Sequence, residues 1–117
     1  VSIDVAEFRE QTARNMSEKE LSQLVADFAE SLGWFVYRTW NSRNSPSGFP
    51  DIVAVETNTG GRQARIICAE LKTERGELTE AQARWLDGLH NTGVEAYLWR
   101  SSDWMSGTIE AVLRGRC

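Results

Sequence analysis

Histidine and cysteine are nearly missing from this sequence: one of the first and two of the second in 117 residues. A zinc site takes three or four nitrogen or sulfur ligands gathered in one place. His90, Cys68 and Cys117 are too few and too scattered for that, so no zinc is expected. Cys68 sits inside an apolar run and reads as a buried, reduced thiol. Cys117 is terminal, and the pair gives no disulfide framework. Any bound metal must therefore be held by oxygen, which suits magnesium or manganese. Long apolar runs are also absent. The longest are short stretches such as Ile52 to Val55 and Ile66 to Ala69, far below the roughly 20 residues that cross a bilayer. No basic, apolar and small-residue leader pattern opens the chain. The expectation is a soluble intracellular protein, cytoplasmic or nucleoid-associated, with no membrane partner.

Positive charge is in deficit as well. Lys and Arg number 13 against 17 Asp and Glu, for a net charge of −4. A uniformly basic surface is excluded, and non-specific affinity for nucleic acid should be weak and salt-sensitive. The distribution is uneven, however. Trp34 to Pro50 carries Arg38 and Arg43 and no acid, so a local basic face on an acidic protein is compatible with the composition. A hydrophobic share of 41% and a charged share of 26% are ordinary for one globular domain with a single core.

Residues 1–16 carry a weak helical pattern through Val5, Phe8 and Ala13 and form a lead helix or arm. Ser17 offers an N-cap, with Glu20 as its capping-box partner. Leu21, Leu24, Val25, Phe28 and Leu32 then recur at helical spacing up to Gly33. Trp34 to Trp40 is aromatic and β-branched and reads as a strand. Asn41 to Gly48 is a polar loop. Asp51 to Glu56 and Gln63 to Leu71 form two further strands around a turn at Gly60 and Gly61. Thr79 opens a helix with an apolar face of Ala83, Leu86 and Leu89, and Trp85 is expected to be buried in phase with Leu89. Val94 to Arg100 is a fourth strand. Ser102 or Asp103 caps one closing helix through Ile109 to Leu113. The order predicts an α/β (α+β) fold: an αβββαβ core whose mixed central sheet is flanked by helices.

Two segments carry chemistry: Gly48-Phe49-Pro50-Asp51 and Glu70-Leu71-Lys72. Alternation along a strand points Glu70 and Lys72 the same way. If the second and third strands pair, Asp51 lies opposite Glu70. Two carboxylates held close repel and stay ionised cheaply only around a cation. Asp51 and Glu70 can hold a hard divalent ion, with the Leu71 carbonyl as a further oxygen ligand. Such an ion activates water and polarises a phosphate. Lys72 can orient or deprotonate the water, or stabilise transition-state charge. Taken singly, an acid near a lysine is an ordinary surface pair and Pro-Asp an ordinary turn. Their joint placement on adjacent strands is the informative feature.

From Ser17 to Leu113 the chain resembles the VRR-NUC family, a branch of the PD-(D/E)XK nuclease superfamily. The resemblance is carried by Glu18, by Gly48 to Asp51, by Glu70-Leu71-Lys72-Thr73, by Leu78-Thr79 with Gln82 and Trp85, and by Gly93 to Arg100. It implies a nuclease domain over 17–117 behind the arm at 1–16. It implies that Asp51 and Glu70 bind Mg2+ or Mn2+, that Lys72 is the catalytic lysine, and that Gln82 helps order the site. An acid of the first core helix completes the metal environment, usually through water. Glu18 and Glu20 are both candidates; Glu18 is preferred because it shares a face with Leu21, Val25 and Phe28.

Stand-alone members of the family resemble Holliday junction resolvases, which act as dimers. The implied activity is thus hydrolysis of phosphodiester bonds in DNA, selective for branched structures such as Holliday junctions or flaps, by a homodimer. DNA contacts are expected from Ser42, Arg43 and Asn44 in the loop before Asp51, and from Arg75. Trp34 or Trp104 can belong to a dimer interface. Two rivals remain: a non-catalytic DNA-binding or assembly module on the same fold, and a sequence-specific restriction-type endonuclease. The intact Asp51, Glu70 and Lys72 set speaks against the first. The scarcity of material for base readout speaks against the second.

Overall fold

A computed structural model of the chain describes residues 4–39 and 45–115. Five helices and four strands occur among them: α1 (Val5–Asn15), α2 (Glu18–Ser31), β1 (Phe35–Arg38), β2 (Ile52–Val55), β3 (Ile66–Lys72), α3 (Glu80–Asn91), β4 (Glu95–Arg100), α4 (Ser101–Met105) and α5 (Thr108–Leu113). The strands form one sheet in the order β1-β2-β3-β4. The first two pairings are antiparallel, and β3 runs parallel to β4. A parallel pair needs a long crossover, and α3 provides it. The expected mixed sheet with flanking helices is therefore the observed architecture.

Helix α2 forms where the apolar spacing and its cap coincide. Ser17 Oγ accepts from the Glu20 N–H at 3.1 Å. The capping box is only half made, because the Glu20 carboxylate takes the Ser17 hydroxyl at 3.0 Å rather than the backbone of the cap residue. Leu21, Val25, Ala26 and Ala29 are buried. Leu24 lies one step off that stripe and is 38% exposed, so it leaves the expected apolar face. Gly33 takes φ +94° beyond the helix end, a conformation glycine adopts without a Cβ penalty.

The core lies between α2, α5 and one face of the sheet. Leu21, Val25 and Ala29 meet Ile52, Ala54, Ile67, Ala69, Leu71 and Trp99, with Ile109 and Leu113 closing from α5. Alternation accounts for the sheet residues: Ile67, Ala69 and Leu71 face this core, and Cys68, Glu70 and Lys72 face the other way. Trp34 is also buried, at 4% exposure, and its indole N–H donates to the Leu113 carbonyl. It is a core residue and cannot serve the dimer contact expected of it.

Four further expectations change. Trp85 is 38% exposed and α3 buries no residue fully, because α3 packs chiefly along the edge strand β4 rather than across the centre of the sheet. Ala83 is exposed, with Leu86 and Leu89 half-buried. Trp85 finds a partner in Phe49, edge-on at 5.1 Å between ring centroids. The single closing helix is two, split at Gly107 with φ +84°. The cap also differs: Arg100 is the N-cap residue, and Asp103 accepts its N–H at 2.8 Å from within the first turn. Lastly, β1 is shorter than Trp34 to Trp40; Trp34 has turned into the core, and Trp40 lies outside the described residues.

Helix α1 is joined to the body by its last turns. Ala13 and Met16 are buried, and Ser101 Oγ donates to the Ala13 carbonyl at 2.7 Å. Val5 and Phe8 are 63% and 58% exposed.

Candidate active site

Asp51 is fixed by backbone contacts before its side chain does anything. The Thr39 N–H donates to the Asp51 carbonyl at 2.8 Å and the Thr39 hydroxyl to the Pro50 carbonyl at 2.7 Å. The β2–β3 ladder pairs Ile52 with Ala69, so its next step sets Asp51 level with Glu70. Asp51 Oδ2 accepts the Leu71 N–H at 2.8 Å. The side chain thereby caps the end of the ladder and holds its other oxygen over the end of the sheet.

Glu70 is 2% exposed. Its Oε1 accepts from Gln82 Nε2 at 2.9 Å. Gln82 has no freedom to turn its amide over. Its side-chain oxygen accepts the Thr79 N–H at 2.9 Å, and its backbone N–H donates to Thr79 Oγ1 at 3.1 Å. This complete capping box at the start of α3 therefore aims an NH2 group at Glu70. The second carboxylate oxygen, Oε2, is buried without a hydrogen-bond partner among the described residues. Glu18, Asp51 and Glu70 each present an oxygen within 4.8 Å of the others. Burial raises the Glu70 pKa first, then the Asp51 charge and the direct contact with the Asp51 carboxyl, with Glu18 adding least in the same direction. Lys72 opposes them, and the result stands at about 8.

The cluster opens onto a cleft of about 480 Å3 lined by Glu18, Lys19, Ser22, Arg38, Thr39, Asp51 and Leu71. Of the residues singled out in the sequence, Glu18, Asp51, Glu70 and Leu71 come together here, with Lys72 on the same face of β3 as Glu70 and Gln82 behind it. Glu20 does not join them; it is occupied with Ser17. Arg75 lies elsewhere, in a depression it shares with Arg9, Arg14, Glu74 and Ser102. Ser42, Arg43 and Asn44 lie outside the described residues. Lys19, Ser22, Arg38 and Thr39 were not singled out as site residues from the sequence. The only hint was the acid-free stretch that contains Arg38.

The donor set suits a hard divalent cation. Three carboxylates converge, one of them buried with an orphaned oxygen. Buried acceptors are normally satisfied, and buried like charges are tolerable around a cation. Glu18, Asp51 and Glu70 are the residues that would hold it.

The site is thus a carboxylate cluster at the end of the central strands of a mixed sheet, with Lys72 on the same strand face as Glu70. The family model of the VRR-NUC domain matches residues 3–103, and the chain belongs to that family. A solved structure described as a "VRR_NUC domain" superposes with a TM-score of 0.62 at 21% identity, covering 81% of this chain and 97% of that one; it is similar in fold. No curated protein matches the chain. Among the described residues, no helix is long and apolar enough to cross a membrane.

Proposed function

We propose that this chain is a divalent-metal-dependent endonuclease that hydrolyses phosphodiester bonds in DNA, with Asp51, Glu70 and Lys72 at its centre. The observation that carries the reading is the orphaned Oε2 of Glu70, buried beside two further carboxylates. A divalent cation, Mg2+ or Mn2+, would supply charge compensation and Lewis acidity toward a phosphate. Asp51 and Glu70 would hold it, with the Leu71 carbonyl as a further oxygen and Glu18 completing the set through water. Gln82 holds Glu70 in place. Lys72 faces the same side as Glu70, where its ammonium group orients the attacking water and offsets charge that builds on the phosphate.

Branched DNA is the proposed substrate and a two-fold homodimer the proposed assembly. Two sites related by a two-fold axis reach two strands of a junction, which one site cannot do. An exposed apolar sheet face supports that reading. Phe35 and Tyr37 on the outermost strand are 73% and 62% exposed, and Val55 and Ile66 beside them are 38% and 41% exposed. Burial of such an apolar face is what the proposed dimer would gain.

The test is a panel of four-way junctions, flaps, splayed arms and plain duplex at one salt concentration, with Mn2+ or with chelator. Metal-dependent cutting that favours branched substrates is expected. Binding without cutting in saturating Mn2+ would remove the enzymatic reading. Cutting at a fixed short sequence, whatever the branching, would replace structure selectivity with sequence selectivity.

A further inference from the structure

Arg38 shares the cleft with two of the three carboxylates, Glu18 and Asp51. It ends β1 opposite Ile52, one residue before Thr39, whose backbone and hydroxyl bind Asp51 and Pro50. Its place relative to Asp51 is therefore set by the sheet itself. Its side chain lines the same cleft as Glu18 and Asp51. The described residues form four ion pairs, Arg14–Glu10, Arg62–Glu56, Arg65–Glu95 and Arg114–Glu110, and Arg38 is in none of them.

What holds Arg38 is a neutral amide. Arg38 Nη1 donates to Gln23 Oε1 at 3.1 Å, and Gln23 Nε2 donates to Asp27 Oδ1 at 2.8 Å. The Asp27 carboxylate can only accept, so the Gln23 amide must turn its NH2 toward Asp27 and its oxygen toward Arg38. Gln23 and Asp27 stand one turn apart on α2, the helix that carries Glu18. This relay steadies the guanidinium through a neutral partner and leaves it outside the four ion pairs. Only one of its five N–H donors is needed for the bond to Gln23. The remainder form a planar fork matched to two oxygens of a phosphate.

We infer that Arg38, aimed by Gln23 and Asp27, is a phosphate-binding residue of the cleft that seats the DNA backbone beside the carboxylate cluster. The inference rests on the nuclease reading for its substrate. It assigns the role to a residue outside the Asp51, Glu70 and Lys72 set. Lys19, on the same wall, adds a flexible second cation. The competing role is charge balance, in which Arg38 merely moderates the repulsion among Glu18, Asp51 and Glu70. The two roles differ in what is lost. A phosphate ligand contributes to DNA affinity and to its salt dependence, whereas a charge balancer contributes to metal affinity.

The test measures three quantities on the full chain and on Arg38→Gln, Arg38→Lys and Gln23→Leu. These are four-way-junction binding by anisotropy in Ca2+ over a salt series, single-turnover cleavage in Mn2+, and Mn2+ binding without DNA by calorimetry. Arg38→Gln should weaken DNA binding about tenfold, and the slope of log affinity against log salt should fall in magnitude by about one, as for one lost phosphate contact. Arg38→Lys should keep the slope and recover part of the affinity. Gln23→Leu should lose affinity with the slope intact, because the charge remains but is no longer aimed. Mn2+ affinity should not change in any variant. An unchanged salt slope in Arg38→Gln, with or without altered Mn2+ affinity, overturns the assignment while the nuclease reading stands on wild-type cleavage. Junction binding with the expected slope loss but no cleavage by the wild type would instead uphold Arg38 and remove the enzyme. Absence of both binding and cleavage by the wild type removes both.

Discussion

Gln82 Nε2 donates to one oxygen of Glu70, and the other oxygen of the same carboxylate has no partner among the described residues. The pair divides the carboxylate into a positioned half and a free half. Replacing Gln82 by Ala strips the positioned half and also frees the Thr79 N–H. A buried acceptor left unpaired costs about 1–3 kcal/mol. We expect Gln82→Ala to lower the melting temperature and to reduce Mn2+-dependent cleavage, but by less than Asp51→Ala or Lys72→Ala, which should abolish it with the fold intact. Circular dichroism melts beside single-turnover rates check this. Full activity in Lys72→Ala would remove the proposed chemistry.

The proton on Glu70 should make the metal-free protein more stable in mild acid. Its folded pKa of about 8 lies above the ordinary 4.5. Between those values the unfolded chain releases a proton that the folded one retains. Stability is therefore lost as pH rises across this window, by on the order of a few kcal/mol in all. Glu56 and Glu95 have the opposite sense. Their carboxyls are held low chiefly by Arg62 and Arg65, so their contribution is lost only as pH falls below about 4.5. With chelator present, the melting temperature should climb from pH 8 to pH 5.5, and Glu70→Gln should flatten that climb and be more stable than wild type at pH 8. Saturating Mn2+ should stabilise wild type increasingly as pH rises, because binding displaces the proton. An apo stability that is level across the window would contradict the buried, proton-holding carboxyl.

Gly48 is required by two facts at once. Its φ is +95°, and a Cβ built there would lie 2.6 Å from the Ala81 carbonyl carbon in the first turn of α3. The Asp51 loop and the helix that carries Gln82 thus touch backbone to backbone. Gly48→Ala must part them, costing about 1–3 kcal/mol for the backbone strain alone and separating Asp51 from Glu70. Gly60 has φ +63° with nothing within 4 Å of a built Cβ, so Gly60→Ala should cost less and leave cleavage intact. Equal effects of the two substitutions would show that the contact with Ala81 is unimportant.

The same local rules explain which parts of the molecule were readable in the sequence. The placement of Asp51 level with Glu70, and of Lys72 on the same strand face, is legible because strand alternation and one hairpin pairing fix it within a few residues. Glu18 followed from helix phase. Periodicity does not place Trp34 and Trp85 correctly, because it ranks residues within an element but does not say how far the element is covered. Trp34 turns into the core against α5, and α3 is too peripheral to bury Trp85. The cleft cations Lys19 and Arg38 depend on how α2 crosses β1, a tertiary relation with no short-range signal. The split at Gly107 was missed because one glycine inside an apolar pattern does not by itself end a helix.

The outermost strand offers a direct test of the proposed dimer. Phe35 and Tyr37 cover no core residue and stand at 73% and 62% exposure. A charge at Phe35 should therefore spare the fold but oppose burial of that face. Phe35→Glu is expected to melt within about 0.5 kcal/mol of wild type and to sediment as a monomer where wild type is a dimer. Junction cutting should then lose its paired character, with single nicks replacing coordinated ones. A dimer that survives Phe35→Glu places the contact elsewhere.

Glu18 and Glu20 are two residues apart in the first turn of α2, yet the fold gives them different work. Glu18 brings an oxygen within 4.8 Å of Asp51 and Glu70 and lines the cleft. Glu20 is spent on the Ser17 hydroxyl at 3.0 Å, and its N–H is what the cap binds. Removing charge at Glu18 should thus weaken Mn2+ affinity and slow cleavage while relieving repulsion on Glu70. Removing it at Glu20 should touch only the helix start, by roughly 0.3–1 kcal/mol of the helix-dipole and capping contribution. Glu18→Gln is expected to lose several-fold more metal-dependent activity than Glu20→Gln, without a loss of apo stability. Calorimetric Mn2+ titration alongside cleavage separates the two, and the reverse ranking would transfer the role of helix acid to Glu20.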